Sequence, residues 1–272
     1  NNTKVVMPVH IWGNPENLSM VNKVAEKHNL LVIEDACLSF GAEWENRKVG
    51  SIGKAGVFSF GSTKPIQAGE GGMITTNDES LAKELRTIRS WGETTIEYGQ
   101  RDQKTLSWNG RASEIVAAVM IEQLRGYPKH LERISSNVNT FKKYISNIDG
   151  IEINDSSIKH GKSVYSQVVT IIDETLMGIS KENFFNSLKI EGIAVWHANF
   201  EPIPSLSFFK NNGWKEWYFG KDILRINNNY NSEYPNSNLV YTKIGLGFLK
   251  SNFISSENTN YLIKTIDRIL TT

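Results

Sequence analysis

KVVMPVHIWGNPENLSMVNKVAEKHNLLVIED, residues 4–35, is the stretch that decides the fold. The apolar run at 4–9 predicts a short strand, and the run LeuLeuValIle at 30–33 predicts a second one. Between them lies a helical pattern over 17–29, whose apolar positions are Leu18, Val21, Val24 and Ala25. Two continuous apolar strands joined by a helix indicate parallel pairing with helices on both faces, which is the α/β class.

The second of these strands ends on the acidic pair Glu34 and Asp35. In open α/β sheets, ligands bind outside the carboxyl ends of the strands. We therefore expect Asp35 to lie at the ligand-binding edge of a mostly parallel sheet.

The chain continues with short predicted strands around 41–44, 57–60 and 73–76, the last two separated by a Gly-rich loop. Asn77 or Asp78 caps a predicted helix that runs to about Ser90, and a further helix follows the AsnGly turn at 109–110. Pro128 is expected to begin another helix that leads to a second domain. We place the domain boundary between 125 and 126.

Residues 126–272 show the pattern of a smaller α+β domain. A strand is predicted over 164–172, a helix capped by Ser180 follows, and a second strand is predicted at 194–196. A final helix is expected over 256–270. The segment 211–238 is rich in Asn, Tyr and Trp, and we expect a long, ordered loop there.

Composition and charge help to exclude some classes of function. Thirty basic and twenty-nine acidic residues give a formal net charge of +1, which does not indicate binding to nucleic acid or to an anionic membrane. No apolar run approaches the ~20 residues that cross a bilayer. The single cysteine, Cys37, cannot form an internal disulfide and favours a cytoplasmic setting. We expect small-molecule chemistry without a metal site. Because the sequence begins without Met and directly in a strand, we also expect a longer protein.

Lys64 is the first candidate for chemistry, because it follows a predicted buried strand and precedes a Gly-rich turn. Such a setting can hold an amine rigidly and partly desolvate it, which favours the neutral, nucleophilic form. The simpler interpretation is a solvated loop lysine, the usual place of that residue type. Asp35 has a similar alternative as a turn or capping residue.

Two spaced motifs carry a family resemblance: GluAspAlaCysLeuSerPheGlyAla at 34–42 and GVFSFGSTKPIQAGEGGMITTND at 56–78. Together they resemble the DegT/DnrJ/EryC1 family of PLP-dependent aminotransferases. The resemblance implies a fold-type-I enzyme with a mostly parallel large domain, incomplete at its N-terminus, and a smaller α+β domain. The implied cofactor is pyridoxal 5′-phosphate (PLP).

The resemblance also implies roles for individual residues. Lys64 forms the Schiff base with PLP, Asp35 binds the pyridine nitrogen, and Ser59 contacts the phosphate. Asn109 reaches the phosphate from a neighbouring subunit, which implies a homodimer with shared sites. The remaining family positions, expected to bind substrate, are His10, His197 and Asn199. For His10 the alternative interpretation is a structural histidine. The sequence departs from the family at Leu38, where Gln or His is usual, and at Phe40 and Trp91, where His is frequent.

The implied reaction is transfer of an amino group from glutamate to a keto sugar, with a nucleotide-linked sugar as the preferred acceptor. A cyclitol or aminohydroxybenzoate-type aminotransferase of the same family remains an alternative. A third possibility is a non-catalytic relative that keeps the fold for dimerisation or regulation. The front part of the family, with its phosphate loop and the aromatic residue that stacks on the ring, has no counterpart here. Retention of both Lys64 and Asp35 favours an enzyme.

Overall fold

The computed structural model describes residues 2–95, 101–155, 160–198, 200–211 and 234–271. The chain divides into two units, and each is formed from two stretches of sequence. Unit 1 comprises Asn1–Val138 and Asp155–Gln167, and unit 2 comprises Asn139–Asn154 and Val168–Thr272.

The main sheet of unit 1 has four strands in the order β1-β2-β5-β6. Its strands are β1 (Val5–Val6), β2 (Leu31–Asp35), β5 (Ala55–Ser59) and β6 (Gly72–Thr75). β2 pairs in parallel with both β1 and β5, whereas β6 runs antiparallel to β5. This confirms the predicted α/β class with a mostly parallel sheet.

The connection between β1 and β2 is α1 (Leu18–His28), as the apolar spacing predicts. The Asn17 side chain caps the helix by accepting a hydrogen bond from the Met20 amide at 2.9 Å. Asn29 ends it in the left-handed conformation, with φ of 51°. Of the four predicted apolar positions, Leu18 and Ala25 are buried, Val21 is half-buried and Val24 is exposed, so α1 packs mainly through Leu18 and Ala25.

The remaining elements of unit 1 include α2 (Glu79–Arg89), which is capped by Asp78, the second of the two predicted candidates. A small antiparallel sheet is built from β3 (Glu43–Trp44), β4 (Arg47–Lys48) and β10 (Gly161–Lys162). A two-stranded sheet is built from β7 (Glu93–Thr95) and β8 (Arg101–Gln103). Because β10 pairs with β3, the stretch at 155–167 returns to unit 1.

One continuous helix, α3 (Glu114–Ile145), replaces the two predicted helices, and Pro128 lies inside it. A proline within a helix removes a backbone hydrogen bond and usually breaks or kinks the helix. Here a buried stripe at helical spacing stabilises the element against that cost: Ile134, Val138, Phe141 and Ile145. The units divide within this helix, after Val138, so the boundary predicted between 125 and 126 falls inside unit 1.

Unit 2 contains a four-stranded sheet in the order β12-β13-β11-β9. Its strands are β9 (Ile151–Ile153), β11 (Gln167–Ile172), β12 (Val195–His197) and β13 (Ile244–Leu249). Its helices are α4 (Glu174–Met177), α5 (Lys181–Ile190), α6 (Ser207–Lys210), α7 (Pro235–Lys243) and α8 (Ser256–Thr271). The α+β character, the Ser180 cap of α5 and the final helix are confirmed.

The predicted loop over 211–238 lies mainly outside the described residues, and α7 occupies its last part. Within the described parts of the chain, no helix combines the length and the apolar character needed to cross a membrane.

Candidate active site

The carboxyl edge of β2 and β5 brings two of the predicted site residues to one face of the sheet. Asp35 pairs with Val57 in the parallel register, so their side chains share a face. Ser59 lies two residues beyond Val57 and therefore shares that face too. These three side chains are half-buried, whereas Glu34 and Phe58, on the opposite face, are buried.

Lys64 lies in the loop that follows β5, with its side chain half-buried. The loop is held by its own backbone: the Lys64 amide donates to the Gly61 carbonyl at 3.1 Å, and the Phe60 amide donates to the Gly71 carbonyl at 2.9 Å. Ile66, completely buried, anchors the loop in the core. The predicted lysine therefore sits on an ordered loop at the same end of β5 as Ser59.

Cys37 follows Asp35 at this edge of the sheet. Its amide donates to the Asp35 carboxylate at 3.1 Å. Burial raises the pKa of the Cys37 thiol to about 11, together with the hydrogen bond and the negative charge of Asp35, while the positive charge of Lys64 acts in the lowering direction. One thiol thus lies within electrostatic reach of both Lys64 and Asp35.

Glu34 has no solvent exposure, and its carboxylate accepts four hydrogen bonds. One oxygen accepts from the Ile52 and Gly53 amides at 2.7 and 2.6 Å; the other accepts from the Gly50 amide at 2.7 Å and from the His10 ring at 3.2 Å. Burial alone would raise the pKa of Glu34, but these hydrogen bonds outweigh it and lower the pKa. Glu34 is therefore a buried carboxylate whose acceptor sites are all used.

Of the two interpretations of His10, the structure favours the structural one. Its side chain is completely buried, Nε2 faces Glu34, and Nδ1 accepts from the Glu16 amide at 3.0 Å. Because Nδ1 accepts, the ring proton belongs on Nε2, which donates to Glu34. With both ring nitrogens occupied and no exposed surface, His10 does not meet a substrate in this conformation.

The Glu34–His10 pair was missed as a feature of the site, although a sequence signal for it exists. Three glycines follow β2 at positions 50, 53 and 56, and each approaches other backbone or core atoms closely. A Cβ at Gly53 would lie 2.7 Å from the Val32 carbonyl oxygen. The glycines at 50 and 53 allow the chain to bring their amides onto the buried carboxylate.

Asn109 lies in another part of unit 1, where it forms an isolated bridge with Ser90. Its side chain is exposed, and its oxygen accepts from the Arg111 backbone and side chain at 3.3 and 3.2 Å. The Arg111 guanidinium lies 3.9 Å from the centroid of the Trp91 ring. Trp91 thus supports Arg111 at the position where the family frequently has His.

Phe40, the other aromatic departure, belongs to the core. Its ring packs edge-on against Phe58 and Tyr127, with centroids 5.5 and 5.4 Å apart. The Tyr127 hydroxyl donates to the Phe40 carbonyl at 2.6 Å. Leu38 is half-buried.

His197 ends β12 in unit 2, and its ring lies against Phe185, with centroids 3.9 Å apart. The nearest carboxylate oxygen of Glu182 is 3.6 Å from Nε2. Asn199, the other residue predicted to bind substrate in this segment, lies outside the described residues.

The residues at the edge of β2 and β5 fit the cofactor that the sequence implies. A primary amine can bond to an aldehyde, a carboxylate can hold a proton on a pyridine nitrogen, and a hydroxyl can donate to a phosphate. Lys64, Asp35 and Ser59 supply these groups from one sheet edge and the loop that follows it. Among the described residues, no group of three or more His, Cys, Asp or Glu side chains could hold a metal ion.

Comparisons with known proteins identify relatives of the chain. A protein of Streptoalloteichus tenebrarius, described as an L-glutamine:3-amino-2,3-dideoxy-scyllo-inosose aminotransferase, is 30% identical over 202 residues, which are 74% of this chain and 49% of that protein. GDP-perosamine synthase of Caulobacter vibrioides is 42% identical over 130 residues, 47% of this chain and 34% of the synthase. The chain thus spans about half or less of these two relatives.

The fold has close relatives among solved structures. A protein of Streptococcus pneumoniae described as the sugar aminotransferase Spr1654, in its PLP form, superposes with a TM-score of 0.81 at 21% identity, over 99% of this chain and 69% of that one. This likeness shows the fold-type-I aminotransferase fold. The sequence profile of the DegT/DnrJ/EryC1/StrS aminotransferase family matches residues 1–217. The chain therefore belongs to that family.

Proposed function

We propose that the protein is a PLP-dependent aminotransferase that moves an amino group from glutamate to a keto sugar carried on a nucleotide. The observation that carries the proposal is the convergence of Asp35, Ser59 and Lys64 at one edge of the sheet. Family membership and the PLP form of the pneumococcal relative support the choice of cofactor.

Lys64 has two tasks in this proposal. When bound, PLP supplies an aldehyde and a cationic ring that withdraws electrons from the reacting carbon. The Lys64 amine would hold PLP by condensing with its aldehyde with loss of water, and as a free amine it would carry a proton to or from the substrate carbon. The ordered loop at 61–71 keeps the amine in place for both tasks.

Asp35 and Ser59 hold the cofactor at its two ends. The Asp35 carboxylate keeps a proton on the ring nitrogen, which maintains the positive charge of the ring. The Ser59 hydroxyl donates to the phosphate, and Asn109 of a second subunit supplies a further donor. The exposure of the Asn109 side chain is compatible with such a contact between subunits.

For the acceptor we propose a nucleotide-linked keto sugar, and His197 and Asn199 are proposed to contact it. The Caulobacter relative, a GDP-perosamine synthase, supports this class with 42% identity. The Streptoalloteichus relative favours a second candidate, a keto cyclitol. Assays of the intact protein with both acceptor classes distinguish the two.

The test of the cofactor assignment is reduction of the intact protein with borohydride in the presence of PLP. We expect one PLP-modified peptide, containing Lys64, and none in Lys64→Ala. Lys54→Ala is the matched control, because Lys54 pairs with Asp78 at the start of β5 and should not affect labelling. PLP attached at another lysine would disprove the assignment, and absence of PLP uptake would favour the non-catalytic relative.

A further inference from the structure

Glu34 and His10 form a buried pair directly behind Asp35, and neither has a task in the proposed reaction. Glu34 precedes Asp35 in β2, so the two carboxylates point to opposite faces of the sheet. We propose that Glu34 and His10 are positioning residues, which hold the carboxyl end of β2 so that Asp35 stays directed at the ring nitrogen of PLP. This inference rests on the proposed function.

The pair reaches Asp35 through the backbone. The His10 amide donates to the Asp35 carbonyl at 3.0 Å, and the Asp35 amide donates to the Pro8 carbonyl at 2.9 Å. Both peptide groups of Asp35 are therefore bonded to the segment 8–10. The His10 ring, held by Glu34, fixes that segment against β2.

A second contact ties the same segment to the turn after β2. The Ser39 hydroxyl donates to the His10 carbonyl at 2.6 Å, and Ser39 is completely buried. Asp35 and Ser39, the two ends of this turn, are thus both hydrogen-bonded to the backbone of His10. A change at His10 would be transmitted to the Asp35 side chain through these bonds.

The role needs a carboxylate at position 34, because each oxygen of Glu34 accepts two hydrogen bonds. All four donors are N–H groups. In Glu34→Gln, whichever position the amide nitrogen takes, it faces two donors and leaves them without an acceptor. The substitution therefore disturbs the support of β2 with almost no change in side-chain volume.

A positioning role and a purely structural role differ in how they combine with loss of Asp35. If Glu34 acts through Asp35, its substitution has no further effect on the cofactor once the Asp35 carboxylate is gone. If Glu34 only stabilises the fold, the two effects add. A double-mutant cycle separates these cases.

The experiment measures the Kd for PLP by absorbance titration of the intact protein for Glu34→Gln, Asp35→Asn and the double variant. We expect Glu34→Gln to weaken binding about tenfold, the lower end of the effect of partners behind metal ligands. In the Asp35→Asn background it should cause no additional loss. Glu43→Gln is the matched control, since Glu43 pairs with Lys48 and Lys162 in the small sheet. It should leave the Kd unchanged.

A second pair of variants keeps the test informative if Glu34→Gln folds poorly. His10→Gln retains an N–H that can reach Glu34, whereas His10→Ala retains none. His10→Gln should bind PLP more tightly than His10→Ala, and both should shift the pH dependence of the bound PLP spectrum in the direction that Asp35→Asn does. Additive effects in the cycle, with normal PLP uptake by the unmodified protein, overturn this inference alone. No PLP uptake by the unmodified protein overturns the proposed function as well.

Discussion

Cys37 is the residue that reports on the active-site charges without any cofactor. It is the only cysteine of the sequence, and its thiol lies near both Asp35 and Lys64. The thiolate is the form that attacks alkylating reagents, so the rate of alkylation follows the pKa of the thiol. The charges of Asp35 and Lys64 can therefore be followed through the alkylation rate of Cys37.

We predict that alkylation of Cys37 by iodoacetamide is slow at neutral pH and rises with a midpoint near the pKa of about 11. Asp35→Asn removes a negative charge and should move the midpoint to lower pH. Lys64→Gln removes a positive charge and should move it to higher pH. The rates are measured by mass spectrometry of the Cys37 peptide.

Lys54→Gln is the control for the alkylation experiment and should leave the midpoint unchanged. Shifts of the same sign for Asp35→Asn and Lys64→Gln would show that the two charges do not flank the thiol.

At the scale of the element, the connection from β4 to β5 depends on glycines. Gly50 has φ of 80°, and a Cβ there would lie 2.3 Å from the Phe58 ring. A Cβ at Gly56 would lie 2.3 Å from the Gly50 Cα. The close approach of residue 50 to β5 lets the amides of this connection reach Glu34.

We predict that Gly50→Ala lowers the free energy of unfolding by about 2–5 kcal/mol, because overpacking and backbone strain add. Gly126 in α3 is the matched control, since no atom lies within 4 Å of a Cβ there. Gly126→Ala should raise the free energy of unfolding by up to about 1 kcal/mol. Urea unfolding of each variant measures both changes. Equal effects at the two glycines would contradict the predicted crowding at Gly50.

The elements also show what a sequence can predict. The caps at Asp78 and Ser180 and the first strand–helix–strand unit depend on neighbouring residues, and the sequence predicts them with small errors in their ends. Pro128 was interpreted wrongly because the burial of α3 residues far along the chain outweighs its local cost. Tertiary packing of this kind leaves no local signal.

In the candidate site, too, some residues can be placed from the sequence and others cannot. Asp35 and Lys64 follow from their positions after predicted strands, Ser59 follows from the family resemblance, and the structure brings them to one edge. For His10 the sequence leaves pocket lining and a structural role open, because its partner Glu34 lies 24 residues away on a neighbouring strand. The register between two strands decides whether a histidine faces a pocket or a buried carboxylate.

At the scale of the whole molecule, the proposed homodimer has apolar surface available in unit 1. Leu106 and Trp108 are 96% and 70% exposed, and α3 exposes Ile115 and Leu124 as well. Apolar side chains exposed together in a contiguous patch are typical of association surfaces. They lie close in sequence to Asn109, the residue proposed to reach the partner's cofactor.

We predict that the intact protein is a dimer and that Asn109→Ala weakens PLP retention and activity. Mixed dimers of Lys64→Ala and Asn109→Ala subunits should regain activity, because one of their two sites combines an intact Lys64 with an intact Asn109. Random mixing gives about a quarter of the unmodified activity. Activity of the co-expressed variants, normalised to protein, measures this.

Asn147→Ala, at an exposed asparagine beyond α3, is the control for the Asn109 experiment and should retain PLP normally. Mixed dimers no more active than their parents would place both residues of a site in one subunit.

Residues 155–167 belong to unit 1, and this affects when each unit can fold during translation. Val164 is part of the unit 1 core, and the Ser163 hydroxyl donates to the Gly13 carbonyl at 3.0 Å. A nascent chain that has emerged only as far as Val138 therefore lacks part of the interior of unit 1, and that unit closes only after β9 of unit 2 has emerged. Unit 2 cannot form its sheet until β11, β12 and β13 have also emerged. The ribosome must release most of the chain before either unit is finished, so the growing polypeptide exposes unfinished cores during much of its translation.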